Sequence, residues 1–169
     1  MLKYLILDVD GTLTDGGIYY DDQGNELKKF CSKDGIGLLC AKAAGIKLAV
    51  LTGRECQATT RRMKELRIDY VIQGIQDKAN YLKSWILINN IEKKDIGYIG
   101  DDINDLAPME LCSYIACPSD ACDEVKMIAN YISNISGGHG AVRDCIEHYL
   151  KSQNLWDEMI RKCYGNAEV

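Results

Sequence analysis

Short apolar runs recur along the chain and alternate with stretches in which apolar residues repeat at helical spacing. The strand-length runs cover Tyr4–Leu7, Lys47–Leu51, Tyr70–Ile72, Ile96–Ile99 and residues 114–116, and helical periodicity marks residues 35–44 and 55–66. Continuous apolar strands suit a parallel sheet that helices cover on both faces, with right-handed crossovers. The pattern therefore predicts a doubly wound, Rossmann-like α/β fold.

Residues 16–30 interrupt this alternation. They read as two short strands around an Asp-Gln-Gly-Asn turn at positions 22–25, so we predict a β-hairpin inserted after the first strand. A two-stranded ribbon that carries Ile18, Tyr19 and Tyr20 is marginal by itself and should pack against another surface. Oligomerisation would supply that surface, and folding back onto the same domain is the alternative.

The C-terminal part of the chain reads as helical. The segment Ser-Gly-Gly-His-Gly at 136–140 precedes a helical stretch over 141–150, and residues 155–163 could form a last amphipathic helix. We expect one domain over residues 1–169, with a helical tail from about residue 151 and no cap domain. His139 could act as an acid or a ligand, but local structure or a subunit contact is the better interpretation.

Composition narrows the classes of function. The net charge of −5 argues against a nucleic-acid surface, so an anionic substrate needs local cations or a metal ion. We expect a cytoplasmic protein, because the sequence has no signal-peptide pattern and no apolar run of membrane-spanning length. The eight cysteines form no Cys-x-x-Cys pair, which favours buried, reduced thiols over a zinc ribbon.

Polar residues follow the predicted strands at the points where they end. Asp8 and Asp10 follow the first strand, residues 52–54 (Thr-Gly-Arg) the second, and residues 100–105 (Gly-Asp-Asp-Ile-Asn-Asp) the fourth, while Lys78 opens the helix after the third. The carboxyl ends of parallel strands converge on one crevice, where ligands bind. We therefore expect these groups to meet in one site.

The carboxylates in this group predict a magnesium site. Asp8 and Asp10 would share one face of a regular strand, where their charges would repel each other unless a cation lay between them. Asp101, Asp102 and Asp105 add further hard oxygen ligands, a set that suits octahedral Mg²⁺ better than zinc.

Magnesium beside a carboxylate, a hydroxyl and a lysine indicates phosphoryl transfer. Asp8 would attack phosphorus to form an aspartyl-phosphate, and Asp10 would protonate the leaving alkoxide and later deprotonate water. Thr52 and the amide of Gly53 would bind the phosphoryl oxygens, and Lys78 would offset their charge and orient Asp8. The residues therefore predict a magnesium-dependent phosphomonoesterase.

Four motifs in order, Asp8-Val9-Asp10-Gly11-Thr12, Thr52, Lys78 and the acidic segment 100–105, resemble those of the haloacid dehalogenase-like superfamily. An aspartate two residues after the nucleophile is typical of its phosphatase branch. The resemblance implies that Asp8, Asp10 through its backbone carbonyl, and Asp101 hold the metal. It places Asp102 and Asp105 behind these ligands.

The resemblance extends to the capless phosphatases of 2-keto-3-deoxy sugar acids, the octulosonate 8-phosphate phosphatase group, which serves lipopolysaccharide biosynthesis. It covers residues 14–19, 24–26, Phe30, 33–37 and 137–143. It implies that the substrate binds to Asp10, Lys33, Asp34, Gly35, Arg54, Arg62 and Lys78. It also implies a homotetramer in which the hairpin of one subunit helps to cover a neighbour's site.

Two alternatives stay open at this point. A nononate 9-phosphate phosphatase would use the same chemistry, but Arg54, which we expect to bind the substrate carboxylate, favours the octulosonate group. Leu39 departs from that group, which usually has a basic residue there. The second alternative is a non-catalytic assembly module like that of acylneuraminate cytidylyltransferases, which the intact catalytic motifs disfavour.

Overall fold

Six parallel strands form the central sheet of the computed structural model, which describes residues 1–165. The sheet strands are β1 (Tyr4–Leu7), β4 (Lys47–Leu51), β5 (Tyr70–Ile72), β6 (Ile96–Ile99), β7 (Tyr114–Cys117) and β8 (Tyr131–Ile132). Their spatial order is β5-β4-β1-β6-β7-β8. Strands β2 (Tyr19–Tyr20) and β3 (Glu26–Leu27) form a separate antiparallel pair.

Helices cover both faces of the sheet. They are α1 (Ser32–Ala43), α2 (Gln57–Glu65), α3 (Lys78–Ile88), α4 (Ile103–Met109), α5 (Asp123–Ile128), α6 (Ala141–Ser152) and α7 (Trp156–Tyr164). Alternate residues of one strand serve the two layers: Leu5 and Leu7 pack with residues of α1, α6 and α7, whereas Ile6 packs with residues of α3, α4 and α5. The predicted doubly wound α/β fold is confirmed.

The order of the strands places the site. The chain adds β4 and then β5 on one side of β1, and later adds β6, β7 and β8 on the other. Strand β1 therefore lies between β4 and β6, with Leu7 opposite Val50 and Ile99. Such a reversal opens a crevice at the carboxyl ends of the strands. The residues that follow β1, β4 and β6 are therefore neighbours.

The predicted hairpin is present but its paired part is short. Asp21 closes the turn, since its carboxylate accepts the N–H groups of Gln23 and Asn25, and Gly24 adopts a φ of 83°. Tyr19 and Tyr20 pair with Leu27 and Glu26. A bridge between Thr14 and Phe30 joins the base of the hairpin to the rest of the chain.

Some details differ from the sequence-based expectations. The sixth strand, Tyr131–Ile132, was not predicted, because two residues at a sheet edge leave almost no periodic signal. All eight cysteines are free thiols, and five of them are buried. Among residues 1–165, no helix has the length and apolarity needed to cross a membrane. The predicted C-terminal helix is observed as α7, and residues 166–169 of the predicted tail lie outside the described residues.

Candidate active site

Asp8 lies at the centre of the site. It follows β1 directly, and its N–H donates to the carbonyl oxygen of Ile99 at 2.9 Å, which continues the pairing of β1 with β6. Only 4% of Asp8 is exposed. Its carboxylate oxygen Oδ1 lies 2.9 Å from Nζ of Lys78. A carboxylate at the end of a rigid central strand is held in one place.

Lys78 joins two buried carboxylates. It is the first residue of α3, which is capped by Asp77, and its Nζ lies 2.7 Å from Oδ1 of Asp105 as well as 2.9 Å from Asp8. Burial opposes the charge of Lys78, but the two carboxylates outweigh this and hold its pKa above the usual value. The lysine thereby keeps Asp8 oriented.

Asp105 makes hydrogen bonds through both of its oxygens. Oδ1 accepts the hydroxyl of Tyr98 at 2.8 Å as well as Lys78, and Oδ2 accepts the N–H of Asp101 at 3.1 Å. Asp105 therefore supports the positions of its neighbours. Tyr98 was missed in the sequence, although a tyrosine in a fully buried strand is a signal, because its hydroxyl must find a partner there.

Asp101 lies two residues after the end of β6, and its carboxylate is next to those of Asp8 and Asp105. Its Oδ1 accepts the hydroxyl of Thr12 at 2.7 Å. Gly11, with a φ of 89°, allows this approach, since a Cβ at that position would lie 2.0 Å from Oδ2 of Asp101. The Gly-Thr pair after Asp10 thus positions a carboxylate that is 89 residues from Thr12 along the chain.

The three carboxylates fit a divalent cation. Single oxygens of Asp8, Asp101 and Asp105 all lie within 4.8 Å of one another. Burial, with added repulsion from Asp105, raises the pKa of Asp8 to about 7, and burial raises that of Asp101 to about 8. Three hard carboxylate donors carry more negative charge than the single ammonium group of Lys78 offsets, which is a set suited to Mg²⁺. Asp8 and Asp101 use only Oδ1 in the contacts above, whereas Asp105 uses both of its oxygens, so Asp8 and Asp101 are the two with an oxygen left for a metal ion.

The raised pKa values predict how metal and pH act on stability. A carboxyl whose pKa is raised in the folded state retains a proton that the unfolded chain has lost, so metal-free protein should lose stability from about pH 4 to pH 8. Mg²⁺ must displace those protons. We expect the rise in melting temperature caused by millimolar Mg²⁺ over a chelator control to be larger near pH 8 than near pH 5.5.

Differential scanning fluorimetry measures both effects. Asp101→Asn should lose most of the response to Mg²⁺, whereas Asp157→Asn, which changes an exposed aspartate of α7, should keep it. A response to Mg²⁺ of equal size at both pH values, or one that survives in Asp101→Asn, would contradict this assignment.

Asp10 departs from the expectation that it shares a face with Asp8. Strand β1 ends at Leu7, so the alternation of a strand does not extend to residue 10. The Asp10 carboxylate is outside the acidic cluster and forms an ion pair with Lys28 of the hairpin. The crowding of negative charge predicted for Asp8 and Asp10 occurs instead between Asp8, Asp101 and Asp105.

An open cleft of about 170 Å³ lies above these groups. It is lined by residues that follow β1, β4 and β6, namely Asp8, Asp10, Thr52, Gly53, Arg54, Asp102 and Asn104. The structure thus brings together most of the predicted phosphate site, while Lys78 lies buried behind Asp8. Asp102 caps α4 by accepting the N–H of Ile103 at 2.8 Å.

The hairpin contributes charged groups to the rim of the cleft. Nη2 of Arg54 lies 2.7 Å from Oε2 of Glu26, and Nζ of Lys28 lies 2.8 Å from Oε1 of the same glutamate. The hydrogen bond with Glu26 holds the pKa of Arg54 above its usual range. Lys28 and Glu26 were missed, because nothing in the run Glu-Leu-Lys-Lys distinguishes a buried lysine from an exposed one.

Four of the predicted substrate ligands are not among the residues that line the cleft. Asp34 is buried near the start of α1, where its Oδ1 accepts the N–H of Arg143 at 2.8 Å, and burial raises its pKa to about 6. Arg62 lies beside Gly35 and makes an ion pair with Glu65. Lys33, also predicted, is exposed. Substrate binding by Lys33, Asp34, Gly35 and Arg62 stays a prediction.

The glycine-rich segment 136–140 packs on the loop that carries Asp10. The N–H of Gly138 donates to the carbonyl oxygen of Thr12 at 3.2 Å, and a Cβ at Gly137 would lie 1.8 Å from the carbonyl oxygen of Gly11. The two backbones touch, so side chains are excluded there. His139 is exposed, and its ring bonds to Gly137 and approaches Lys29, which agrees with a local structural role.

Comparisons with known proteins identify relatives of this chain. Residues 71–143 match the family described as haloacid dehalogenase-like hydrolase. The 3-deoxy-D-manno-octulosonate 8-phosphate phosphatase of Escherichia coli K12 is 36% identical over 157 residues, which are 93% of this chain and 84% of that protein.

Solved structures of such enzymes share the fold. The 3-deoxy-D-manno-octulosonate 8-phosphate phosphatase of Moraxella catarrhalis, crystallised with magnesium, phosphate and KDO, superposes with a TM-score of 0.90 at 39% identity, over 96% of this chain and 93% of that one. The cobalt-bound enzyme of Haemophilus influenzae gives a TM-score of 0.85 at 32% identity, over 92% and 91%.

Proposed function

Because the chain belongs to the 3-deoxy-D-manno-octulosonate 8-phosphate phosphatase family of haloacid dehalogenase-like hydrolases, we propose that it is a Mg²⁺-dependent phosphatase of that substrate. One observation carries the proposal. Below an open cleft, the nucleophile Asp8 forms an ion pair with Lys78 and lies beside Asp101, a carboxylate that could bind a metal ion. Each group matches a need of phosphoryl transfer.

Mg²⁺ would be held by Asp8, Asp101 and the backbone carbonyl of Asp10, with Asp102 and Asp105 behind them. Once bound, the ion supplies positive charge that offsets the carboxylates and the phosphoryl oxygens. The fit rests on the excess of negative charge in this cluster, where three carboxylates share the single ammonium group of Lys78. Asp105 acts through its hydrogen bonds to Lys78 and the backbone of Asp101.

In the first step, a carboxylate oxygen of Asp8 bonds to phosphorus while the bond from phosphorus to the sugar oxygen breaks. Asp10 gives its proton to that leaving oxygen, and the free sugar acid departs. Thr52 and the amide of Gly53, which line the cleft, donate hydrogen bonds to the phosphoryl oxygens. Lys78 stays paired with Asp8 and adds positive charge to the phosphate site.

In the second step, water attacks the aspartyl-phosphate. Asp10, now ionised, takes a proton from the water as its oxygen bonds to phosphorus, and the bond between phosphorus and Asp8 breaks. Inorganic phosphate and the free Asp8 carboxylate result. One acid and one nucleophile therefore complete both steps.

Arg54 binds the carboxylate of the substrate at the opposite end from the phosphate. It lies at the rim of the cleft, and although Nη2 pairs with Glu26, the guanidinium has further N–H donors that can pair with a planar carboxylate. Lys33, Asp34, Gly35 and Arg62 complete the binding surface in the assembled enzyme.

Arg54→Ala should therefore change KM for two substrates to different extents. We expect KM for the octulosonate phosphate to rise about tenfold or more, the cost of losing one charged bidentate contact, with KM for p-nitrophenyl phosphate changing less than about twofold. Arg61→Ala, an exposed arginine on α2 that pairs with Glu65, is the matched control and should leave both values unchanged. Equal increases in KM for both substrates would remove Arg54 from carboxylate binding.

The assembled enzyme is a homotetramer in the cytoplasm, in which the hairpin helps to cover a neighbour's cleft. Assembly is supported by four large apolar residues of the hairpin that are each between 47% and 64% exposed, namely Ile18, Tyr19, Tyr20 and Leu27. An exposed apolar patch of this kind is typical of an interface. Light scattering tests it: Tyr20→Asp should reduce the tetramer fraction, and a purely monomeric wild-type protein would rule it out.

Release of inorganic phosphate from a panel of 2-keto-3-deoxy sugar-acid phosphates tests the function. We expect turnover that requires Mg²⁺ and stops on addition of a chelator. No turnover on any member of the panel would favour the non-catalytic assembly module, and turnover of nononate 9-phosphates alone would change the substrate.

A further inference from the structure

Lys28, which directly follows the hairpin strand β3, is a buried cation beside the proposed general acid. Its side chain is 1% exposed. Nζ donates a hydrogen bond to Oδ1 of Asp10 and lies 2.8 Å from Oε1 of Glu26. Burial of an ammonium group is costly unless anions surround it, so these two carboxylates account for its location.

The other cations around the cleft are already paired. Lys78 bonds Asp8 and Asp105, and Arg54 bonds Glu26. Within residues 1–165, the hydrogen bond from Lys28 is the only side-chain hydrogen bond that the Asp10 carboxylate makes. The orientation of Asp10 therefore depends on Lys28.

The contact also leaves one carboxylate oxygen for chemistry. Lys28 bonds Oδ1 of Asp10, while Oδ2 has no partner in the described part of the chain. Asp10 borders the cleft, and Oδ2 is the oxygen that the pairing with Lys28 leaves free for a leaving group there. A general acid must lie within hydrogen-bond distance of the atom that it protonates, and small displacements are costly.

Resting on the proposed function, we propose that Lys28 is a positioning residue. It holds Oδ1 of Asp10 so that Oδ2 transfers its proton to the leaving sugar oxygen as the bond to phosphorus breaks. The hairpin therefore completes the active site of its own chain, in addition to any cover that it gives to a neighbour.

A simpler role, in which Lys28 only attaches the hairpin to the domain, predicts different kinetics. An attachment would affect all substrates alike. A positioned acid matters for an alkoxide, which needs a proton to leave, and matters little for p-nitrophenolate, which leaves without one. The ratio kcat/KM isolates this step, because it reports the reaction up to departure of the alcohol.

The experiment compares Lys28→Met with wild type on octulosonate 8-phosphate and on p-nitrophenyl phosphate. We expect kcat/KM to fall about 100-fold for the sugar ester and less than about fivefold for the aryl ester. For the sugar ester, kcat/KM of Lys28→Arg should be about tenfold higher than that of Lys28→Met, because arginine restores a buried donor. Lys29→Met, its exposed neighbour, should match wild type.

Equal losses on the two esters, or no loss on the sugar ester, would overturn the assignment. If melting shows that Lys28→Met is unfolded, Lys28→Gln takes its place in the same comparison. A wild-type protein that hydrolyses alkyl phosphates other than the octulosonate ester would overturn the proposed substrate only, and the comparison for Lys28 would then use the ester that is hydrolysed.

Discussion

Asp8→Asn should lose at least about 10⁴-fold in kcat with octulosonate 8-phosphate while the protein stays folded. An amide of the same shape cannot attack phosphorus as a carboxylate does. The substitution also removes one negative charge from the buried cluster with Asp101 and Asp105. Lys78 keeps its bond to Asp105, so no buried cation is left unpaired.

This variant should therefore melt at or above the temperature of the metal-free wild type. The fold raises the pKa of Asp8 to about 7, so the ionised carboxylate destabilises the metal-free protein. Asp8 therefore serves function at a cost in stability. Asp157→Asn, which changes an exposed aspartate of α7 outside the cleft, is the control and should keep its activity. Inactivity that coincides with a large drop in melting temperature would attribute the effect to unfolding.

Lys78→Met should reduce both activity and stability. The variant leaves the Asp8 and Asp105 carboxylates without their shared cation in a buried site. Removing one member of a buried ion pair costs about 3–5 kcal/mol of unfolding free energy, and losing a positioned charge at a phosphoryl group costs about 10²–10³-fold in kcat.

The loss of stability should depend on pH. Ionised carboxylates cause the repulsion, so denaturant unfolding should show a larger loss near pH 8 than near pH 5.5, where Asp8 holds a proton. Lys83→Met, an exposed lysine on the same helix, should change neither property. A Lys78→Met protein with wild-type kcat would exclude the proposed role of the lysine.

The central part of the site was predictable from the positions of residues relative to strands. Asp8, Thr52 and Asp101 each come directly after an apolar run or within two residues of one, and parallel strands present those ends together. Lys78 was predictable because it opens the next helix. The hydrophobic pattern predicted the fold class, and the convergence of strand ends in that class was enough to bring these groups together before any contact was known.

The remaining features depend on contacts that no local pattern records. The side-chain direction of Asp10 is set by Lys28, eighteen residues away on a hairpin whose apolar residues are exposed. The bond from Tyr98 to Asp105 is visible only after β6 is placed beside α4. Long-range polar contacts of this kind depend on how the elements pack, and local propensity and periodicity carry no information about that packing.

The buried charges also explain why the site is costly to build. Asp8 and Asp101 have pKa values raised to about 7 and 8, so at neutral pH the fold retains groups that would be more stable protonated. A bound cation would convert this repulsion into attraction. Stability and metal binding are thus linked through the same carboxylates.

The most direct test of the proposed activity is kcat/KM for 3-deoxy-D-manno-octulosonate 8-phosphate and for a nononate 9-phosphate, measured side by side with Mg²⁺. We predict that the eight-carbon substrate is preferred at least about tenfold, since Arg54 and the cleft together would discriminate by about 1.4 kcal/mol or more. A preference for the nine-carbon substrate, or release of phosphate from neither, would contradict the account.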